Sequence, residues 1–183
     1  LDEASLYTAL ANSEATHVSC VSTQLRRLVD ATEVPPRSLR AVLLGGGPLP
    51  TPLLNRAHER AWPLLTSYGC TEMASQVATT APGAPQEDLS TAGSCLPHRR
   101  LQIGADGQIL VRGRTLFRSY VQDATLQDPR GPRGWYPTGD RGRLDAQGRL
   151  HVLGRMDHMF VSGGENIQPE EIEGHLERLD GVE

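Results

Sequence analysis

Two short groups of residues in the last third of the chain carry side chains suited to an oxygen-rich ligand. The sequence TGD at residues 138–140 follows an aromatic pair in a turn-prone context, and Arg155 follows a short apolar stretch. A carboxylate in a turn, such as that of Asp140, can accept two hydrogen bonds from a vicinal diol like that of a ribose. The planar guanidinium of Arg155 suits phosphate or ribose oxygens.

The sequence SGGEN extends this region at residues 162–166. Its adjacent glycines, Gly163 and Gly164, indicate a sharp backbone turn or a place where the backbone touches a ligand. A helix is predicted to follow, because Pro169 suits a first helical turn and the acidic residues around it suit the positive end of a helix. Each piece also has an ordinary interpretation, as a surface turn, a solvated arginine or a flexible loop.

The sequence SYGCTE at residues 67–72 follows a predicted strand and has more informative residue types. Tyr68 offers a ring for stacking on a base, and Gly69 lets the backbone pass close to a ligand. Thr71 offers a hydroxyl to a phosphate, and Glu72 offers a hard oxygen to Mg²⁺. Singly, Tyr68 would more often lie in a core and Glu72 would more often be a solvated acid, so only the combination points to a site.

A continuous apolar run, residues 39–47, ends in three glycines. Buried parallel strands have such runs without alternation. The carboxyl edge of a parallel strand is where open α/β sheets bind nucleotides, since a glycine backbone can approach a flat base closely. A tight turn into a helix without any ligand is the alternative, and these residues alone favour it. The helix that follows is predicted to bury Leu53, Leu54, Ala57 and Ala61.

The start of the chain is predicted to alternate helices and strands. Residues 3–11 are predicted to form a helix, residues 17–21 a strand, and a cap at residues 22–23 opens a second helix that ends before two prolines. The inward faces of these helices are predicted to be Leu6, Ala9 and Leu10 in the first, and Leu25, Leu28 and Val29 in the second.

The pattern changes after the Pro/Gly-rich segment at residues 82–88. Short alternating segments at residues 101–103, 108–111 and 150–153, separated by glycine turns, predict a β-meander or small barrel. Residues 122–134 are predicted to be an exposed loop. The last helix is predicted to place Ile172, Leu176, Leu179 and Val182 on one face and to open a further domain.

Composition excludes several classes of function. The 183 residues carry a net charge of −4 without long charged runs, which gives no electrostatic footprint for nucleic acid or an anionic membrane. There is no lysine, so no chemistry that needs one can come from this segment. The separated cysteines and histidines predict neither a zinc site nor a disulfide framework, and reduced, buried thiols in a cytoplasmic protein are the simplest interpretation. No signal peptide and no membrane span is predicted.

The sequences YGCTE, TGD, GRMD and SGGEN, in this order and spacing, resemble the adenylate-forming superfamily of acyl-CoA ligases, peptide-synthetase adenylation domains and luciferases. In that family a carboxylate attacks the α-phosphate of ATP to give an acyl-adenylate and pyrophosphate, and a thiol then takes the acyl group. The resemblance covers nearly the whole chain and implies an α/β fold class, a fragment of the family's N-terminal domain. The implied units are a partial parallel α/β subdomain at 1–92, a β-barrel subdomain at 93–156, and a hinge with the truncated start of the C-terminal domain at 157–183.

The resemblance also implies roles for individual residues. The adenine of ATP or AMP would be framed by Gly46, Gly47, Pro48, Ser67, Tyr68 and Gly69. Thr71 would meet the α-phosphate, Glu72 would hold Mg²⁺, Asp140 would bind the ribose hydroxyls, and Arg155 would reach the ribose or phosphate. Asp157 would be the hinge, and the pantetheine arm of coenzyme A would pass Ser162, Gly163 and Gly164.

Two departures from the family limit what this segment would do. The family's phosphate loop would lie upstream and its adenylation lysine downstream, and neither is in this sequence. We therefore assign no catalytic residue and expect a fragment that binds substrates without catalysing a reaction by itself.

The implied cofactors are ATP, Mg²⁺ and coenzyme A, and the implied partner is a small-molecule carboxylate. SGGENIQPEEIE resembles CoA ligases more than peptide-synthetase domains, and LLGGGPLPTPLL and YGCTEMASQV are most similar to the o-succinylbenzoate-CoA ligases of menaquinone biosynthesis. The alternatives are another aryl- or fatty acyl-CoA ligase, or a non-catalytic relic that binds nucleotide; the intact carboxylates Glu72 and Asp140 argue against decay. A homo-oligomer is compatible with the sequence.

Overall fold

The structure is a computed structural model that describes residues 3–32, 34–162, 165–167 and 169–176. Its first sheet has five strands in the order β1-β2-β3-β4-β5, of which the first three are parallel and the last two antiparallel. The strands are β1 (His17–Cys20), β2 (Ala41–Leu44), β3 (Leu64–Cys70), β4 (Ser75–Thr79) and β5 (Ser94–Cys95). Three helices accompany them, α1 (Glu3–Asn12), α2 (Ser22–Ala31) and α3 (Thr51–Glu59).

The predicted alternation of strands and helices is confirmed in this first region. α2 buries Leu25, Leu28 and Val29, and α3 buries Leu53, Leu54 and Ala57, all in one core with Val42 and Leu44 of β2. These residues recur at helical spacing, so each helix lays one apolar stripe on the parallel strands.

Three details of the helices differ from the prediction. Ala9 is exposed, because Leu6, Tyr7 and Leu10 form the inward stripe of α1. Ala61 lies beyond α3 in a left-handed turn with φ +57°.

The predicted cap of α2 was also wrong. The N-cap is Val21, whose side chain has no polar atom, and its backbone N–H donates to Oε1 of Gln24 at 3.1 Å. The side-chain oxygen of Gln24 thus accepts from the N–H of the N-cap residue, and neither Ser22 nor Thr23 is the N-cap.

A second sheet follows in the chain and is antiparallel throughout. The strands after β5 are β6 (Arg99–Ile103), β7 (Gln108–Gly113), β8 (Tyr120–Gln122), β9 (Thr125–Gln127), β10 (Tyr136–Leu144) and β11 (Leu150–Arg155). Four of them form the second sheet in the order β11-β10-β7-β6. The predicted alternating segments and their turns at Gly107 and Gly148 are confirmed, since both glycines have positive φ.

The stretch predicted as an exposed loop contains a hairpin. β8 and β9 pair antiparallel around Asp123 and Ala124, which both have positive φ as a two-residue hairpin turn requires. The prediction of exposure for residues 122–134 was right, because nearly all of these residues are exposed and Leu126 is 74% exposed. The prediction of a structureless loop was wrong, because it overlooked the alternation on both sides of this turn.

The prediction of three buried thiols is correct for one cysteine. Cys20 is buried, and burial raises its pKa to about 11, whereas Cys70 is half-buried. Cys95 is exposed because it lies in β5, a two-residue strand at the edge of the first sheet. All three are free thiols.

The two sheets share a buried core, in which Tyr68, Val77 and Ala78 of the first sheet pack with Ile109, Val111, Tyr136 and Leu150 of the second. Backbone hydrogen bonds join Leu150 of β11 to Ala92 and Gly93 beside β5, at 2.7 and 2.8 Å. Arg149 also forms an ion pair with Asp88, which lies in the one-turn helix Gln86–Ser90. These contacts hold the segment that leads into β5 against β11 of the second sheet.

The end of the described chain contains a hairpin and a helix. β12 (Phe160–Ser162) pairs with β13 (Glu165–Ile167), and α4 (Pro169–Leu176) follows. Ile172 and Leu176 are exposed, and the other two residues predicted for this face, Leu179 and Val182, lie outside the described residues. Across the described part of the chain, every helix is too short or too polar to cross a membrane.

Candidate functional site

Asp140 and Arg155 lie opposite each other on neighbouring strands. They are paired residues of β10 and β11, and Nη1 of Arg155 donates to Oδ1 of Asp140 at 3.3 Å. Gly139, next to Asp140, has φ +79°, and a Cβ atom there would lie 3.1 Å from Nη2 of Arg155. A glycine is needed at this position because any side chain would strain the backbone and crowd the guanidinium.

Tyr68 reaches the same carboxylate from the first sheet. Its phenol donates to Oδ2 of Asp140 at 2.6 Å. The Tyr68 side chain is only 8% exposed, and this burial, together with the hydrogen bond to Asp140, raises the pKa of the phenol. Tyr68 therefore remains a protonated donor at neutral pH.

The backbone around Asp140 is held by Thr138. The N–H of Asp140 donates to the Thr138 hydroxyl at 3.1 Å, and that hydroxyl donates to the carbonyl of Ile109 in β7 at 2.9 Å. Thr138 is buried, so the TGD turn is fixed from inside the sheet. In the TGD sequence, Thr138 therefore anchors the backbone, Gly139 adopts the turn conformation, and Asp140 presents its carboxylate.

The Asp140 carboxylate still has acceptor positions for a ligand. Its two oxygens together offer about four lone-pair positions, and the hydrogen bonds from Tyr68 and Arg155, the ones that Asp140 accepts among the described residues, use one on each oxygen. The side chain is 15% exposed, so it is reachable from solvent. It can therefore accept two further hydrogen bonds, one on each oxygen, as a vicinal diol would donate.

Arg155 also contacts the predicted hinge residue. Nε and Nη2 of Arg155 donate to the two carboxylate oxygens of Asp157 at 2.9 and 3.2 Å. This hydrogen bonding raises the pKa of Arg155 and lowers the pKa of Asp157. Both side chains are largely exposed, so solvent screens the pair and its stabilisation is small. The guanidinium connects the carboxylate of Asp140 with the start of the segment that follows β11.

The glycine-rich loop lies beside the start of the SYGCTE sequence. β2 and β3 are parallel neighbours, and Oγ of Ser67 donates to the carbonyl of Leu44 at 2.8 Å, just before the glycines. Gly46 has φ +84°, and the following residues Gly47 and Pro48 are exposed with it. The structure thus brings this loop and Ser67 together at the carboxyl edge of the parallel strands, where the sequence placed them.

Close backbone packing explains Gly69 without a ligand. A Cβ atom there would lie 2.1 Å from the carbonyl oxygen of Ser75, at the irregularity where β3 and β4 change register. Any side chain at Gly69 would push β3 and β4 apart.

Cys70 follows Gly69 and is half-buried. Burial is the main reason that the pKa of Cys70 is raised to about 11.

Glu72 lies in a one-turn helix, Thr71–Met73, directly after β3. Thr71 is exposed, and Oε1 of Glu72 accepts a hydrogen bond from the hydroxyl of Tyr120 at 2.5 Å. Partial burial opposes ionisation of Glu72, but hydrogen bonds led by that from Tyr120 outweigh it and lower its pKa. Glu72 is therefore an anion at neutral pH.

The residues around Glu72 fit a magnesium ion that is bound mainly by a phosphate ligand. Among the described residues no group of three or more histidine, cysteine or acidic side chains could enclose a metal ion. Mg²⁺ commonly takes one or two protein carboxylates and completes its shell with water and substrate phosphates. A single ionised carboxylate at the end of a strand suits that arrangement.

Sequence reasoning missed Tyr120. The residue stands just before the stretch that was predicted to be a loop, and nothing nearby in the sequence connects it with Glu72, 48 positions earlier. The alternation of YVQDATLQ around a two-residue turn could have predicted the hairpin, although not its contact.

The remaining predicted residues are only partly described. Ser162 is exposed at the end of β12, where it pairs with Glu165. Gly163 and Gly164 lie outside the described residues. The predicted roles in coenzyme A binding and at the hinge stay predictions.

Comparison with known proteins gives consistent matches. A model of the family described as AMP-binding enzyme matches residues 1–121. The 2-succinylbenzoate–CoA ligase of Bacillus subtilis (strain 168) is 40% identical over 172 residues, covering 89% of this chain and 35% of the ligase.

Two solved structures also match closely. The o-succinylbenzoate CoA synthetase from Bacillus subtilis in complex with the acyl-adenylate intermediate OSB-AMP superposes with a TM-score of 0.89 at 37% identity, covering 96% of this chain and 38% of that one. The same synthetase in complex with ATP and magnesium ion gives a TM-score of 0.82 at 37% identity, covering 94% and 38%. These superpositions confirm the predicted fold class. The chain spans 35% to 38% of the length of these relatives.

Proposed function

Because this chain belongs to the family of AMP-binding enzymes, we propose that it is part of an ATP-dependent acid–CoA ligase. The proposed reaction has two steps. A carboxylate first attacks the α-phosphate of ATP and releases pyrophosphate, and the thiol of coenzyme A then displaces AMP from the acyl-adenylate. The observation that carries the proposal is the Asp140 carboxylate, held by Tyr68 and Arg155 with one acceptor position free on each oxygen.

In this proposal Asp140 binds the ribose. The 2′- and 3′-hydroxyls donate to its two oxygens, while Tyr68 and Arg155 keep the carboxylate from rotating. Hydrogen bonds to a charged group contribute about 1.5 to 3 kcal/mol each, so this contact would supply much of the affinity for the nucleoside. Arg155, whose charge is permanent, lies within reach of the ribose or phosphate oxygens.

The adenine would lie along the carboxyl edge of the parallel strands. One side of the proposed adenine site would consist of Gly46, Gly47 and Pro48. The other side would consist of Ser67, Tyr68 and Gly69. The hydrogen bond from Ser67 to Leu44, which joins the two segments, supports this assignment. Specificity for the base would come from backbone groups of the glycine-rich loop.

Thr71 and Glu72 would face the phosphates. Thr71 is exposed and offers a hydroxyl to the α-phosphate, and Glu72 offers a carboxylate oxygen to Mg²⁺. When bound, Mg²⁺ would neutralise charge on the phosphates and orient them for displacement. The protein's part is to keep Glu72 ionised and in place beside them.

The proposed acid is o-succinylbenzoate, which would place the protein in menaquinone biosynthesis in the cytoplasm. Support comes from the 40% identical ligase and from the structure of the synthetase that holds OSB-AMP. In the second step Ser162, Gly163 and Gly164 would line the passage for coenzyme A, with Asp157 as the hinge. The proposed units are residues 1–92, 93–156 and 157–183.

Acid-dependent exchange of pyrophosphate into ATP by the full-length native protein tests this function. We expect exchange with o-succinylbenzoate and little with benzoate or a long-chain fatty acid. Exchange with a different acid would show that the proposed acid is wrong, while the proposed ligase activity would stand. A protein that binds AMP but supports no exchange with any acid would be a nucleotide-binding relic.

A further inference from the structure

The hydroxyl of Tyr120 is close enough to Glu72 to orient its carboxylate. We propose that Tyr120 is a positioning residue, which fixes the Glu72 carboxylate for the magnesium ion of bound ATP. This inference rests on the proposed function, because it assumes that Glu72 faces the phosphates. Tyr120 itself would not contact the metal.

The segment that ends at Tyr120 holds Glu72 by both its backbone and its side chain. The N–H of Phe117 donates to the carbonyl oxygen of Glu72 at 2.7 Å, and the Tyr120 hydroxyl donates to Oε1 of the same residue at 2.5 Å. The helix that carries Glu72 has three residues and ends at Ala74 in the left-handed region, with φ +55°. So short a helix does little to orient a long side chain, which would otherwise sample several rotamers.

Tyr120 is itself held on two sides. Its hydroxyl lies 2.9 Å from that of Tyr136, and its ring meets the ring of Phe117 edge to face at 4.7 Å between centroids. Phe117 meets Tyr136 in the same way at 5.5 Å, so the three rings form one cluster. This cluster gives the Tyr120 hydroxyl a fixed direction toward Glu72.

The hairpin that carries Tyr120 has little other reason to be ordered. The next apolar residues along it, Val121 and Leu126, are mostly exposed, and its turn residues Asp123 and Ala124 both have the unfavourable positive φ. Of the described residues in β8 and β9, Tyr120 is the one whose side chain forms hydrogen bonds with residues outside the hairpin. The Tyr120 hydroxyl therefore ties this hairpin to Glu72 and Tyr136.

The contact also leaves room for a metal. The Tyr120 hydroxyl takes one lone pair of Oε1, which is one of about four acceptor positions on the two carboxylate oxygens, and a single position is enough for a bond to Mg²⁺. A carboxylate that is fixed by this hydrogen bond binds a metal with less loss of rotational freedom. The hydrogen bond should therefore strengthen the metal-dependent part of nucleotide binding and leave the metal-independent part unchanged.

Isothermal titration of the full-length native protein tests this inference. We compare the affinity for ATP with excess Mg²⁺, for ATP with a chelator, and for AMP, in the wild type and in Tyr120→Phe. The substitution keeps the ring and removes the hydroxyl. The matched control is Tyr7→Phe, since Tyr7 packs against the first core in α1, away from Glu72.

The inference predicts that Tyr120→Phe reduces the gain in affinity that Mg²⁺ gives by about tenfold, as expected for a hydrogen bond to a charged group. The affinities of Tyr120→Phe for AMP and for metal-free ATP should stay within about twofold of the wild-type values. This result would also show that the variant is folded. Tyr7→Phe should match the wild type in all three. Glu72→Gln should also lose the increase in ATP affinity that Mg²⁺ gives. In the double variant, adding Tyr120→Phe to Glu72→Gln should not lower the ATP affinity in Mg²⁺ any further.

Two results would overturn the inference, for different reasons. If Tyr120→Phe keeps the full gain from Mg²⁺, or weakens all three ligands equally, Tyr120 does not position Glu72, and the proposed function is unaffected. If the wild type binds neither AMP nor ATP, the proposed function fails and this inference fails with it.

Discussion

The phenol oxygen of Tyr68 lies 2.6 Å from Oδ2 of Asp140, although the two residues are 72 positions apart in the chain. Tyr68 belongs to the first sheet and Asp140 to the second, so this hydrogen bond joins the two sheets at the proposed nucleotide site. It links the YGCTE and TGD sequences by a direct contact. The aromatic residue of the first sequence supports the carboxylate of the second.

Tyr68→Phe should weaken AMP binding by about threefold to tenfold, less than loss of the carboxylate itself. The ring would still fill its place in the core, but the carboxylate would lose a donor that fixes its rotation. Titration calorimetry measures the affinity, and thermal unfolding checks the fold. An AMP affinity equal to that of the wild type would show that Tyr68 supports only the core.

The secondary structure of the first region followed from the sequence because its signals are local. Leu25, Leu28 and Val29 recur at helical spacing, and the apolar run that contains β2 has no alternation, so each element could be recognised from its own residues. The motifs that contain Asp140 and Arg155 predicted both as site residues; the structure brings the two side chains together, and their roles in binding stay predictions.

The contacts that complete the site were not predictable from sequence. The bond from Tyr68 to Asp140 depends on how the two sheets pack, and the bond from Tyr120 to Glu72 depends on where the β8–β9 hairpin lies relative to the helix after β3. No local pattern contains that information. The exposure of Cys95 has the same origin, because it depends on which strand ends the sheet. Tyr120 was overlooked because its hairpin is closed by Asp123 and Ala124, and hairpin turns are usually recognised by glycine or asparagine.

Nucleotide should protect Cys70 from a thiol reagent but not Cys95. Cys70 lies between Tyr68 and Glu72 in the proposed site and is half-buried, whereas Cys95 is exposed on an edge strand. We expect saturating AMP to slow alkylation of Cys70 at least about threefold and to leave the Cys95 rate unchanged. Mass spectrometry of the modified peptides measures both rates in one sample. Equal rates for Cys70 with and without AMP would place the nucleotide elsewhere.

Cys20 should react with the same reagent only after unfolding. The pKa of Cys20, like that of Cys70, is raised to about 11, so both thiols react slowly at neutral pH; Cys20 differs because it is buried and the reagent cannot reach it in the folded protein. Labelling during a urea titration should follow the unfolding transition seen by circular dichroism. Rapid labelling of Cys20 in the native protein would mean that α1 and α2 open locally.

Asp145→Asn should destabilise the protein near neutral pH and have a smaller effect in acid. Burial raises the pKa of Asp145, but hydrogen bonds led by the backbone N–H of Arg149 outweigh it, so the folded-state pKa is well below its usual range. A lowered pKa contributes stability above the ordinary aspartate pKa, and that contribution is lost as pH falls through the folded-state value. The difference in urea midpoint between the variant and the wild type should shrink as pH drops below about 4. A difference that stays constant from pH 7 to pH 3 would contradict this account.

The 183-residue chain alone should show no pyrophosphate exchange with any acid. It contains no lysine and none of the family's phosphate loop, so the groups that would stabilise charge at the reacting phosphate are missing from it. Exchange is measured with radiolabelled pyrophosphate, with the full-length native protein as the positive control. Exchange above background by the purified 183-residue chain would mean that other residues, among them Arg155, perform this role.

The central claim is that Asp140 binds the ribose diol, and comparing AMP with 2′,3′-dideoxy-AMP tests it most directly. The affinities of both ligands are measured by titration calorimetry for the full-length wild type, for Asp140→Ala, and for the control Asp106→Ala, which removes an exposed carboxylate from a turn of the same sheet. The wild type and the control should prefer AMP by at least about tenfold, as expected for hydrogen bonds to a charged group. Asp140→Ala should bind the two ligands about equally, with the affinity that the wild type has for the dideoxy compound. An undiminished preference for AMP in Asp140→Ala would contradict the claim, because the hydroxyls would then be recognised by another residue.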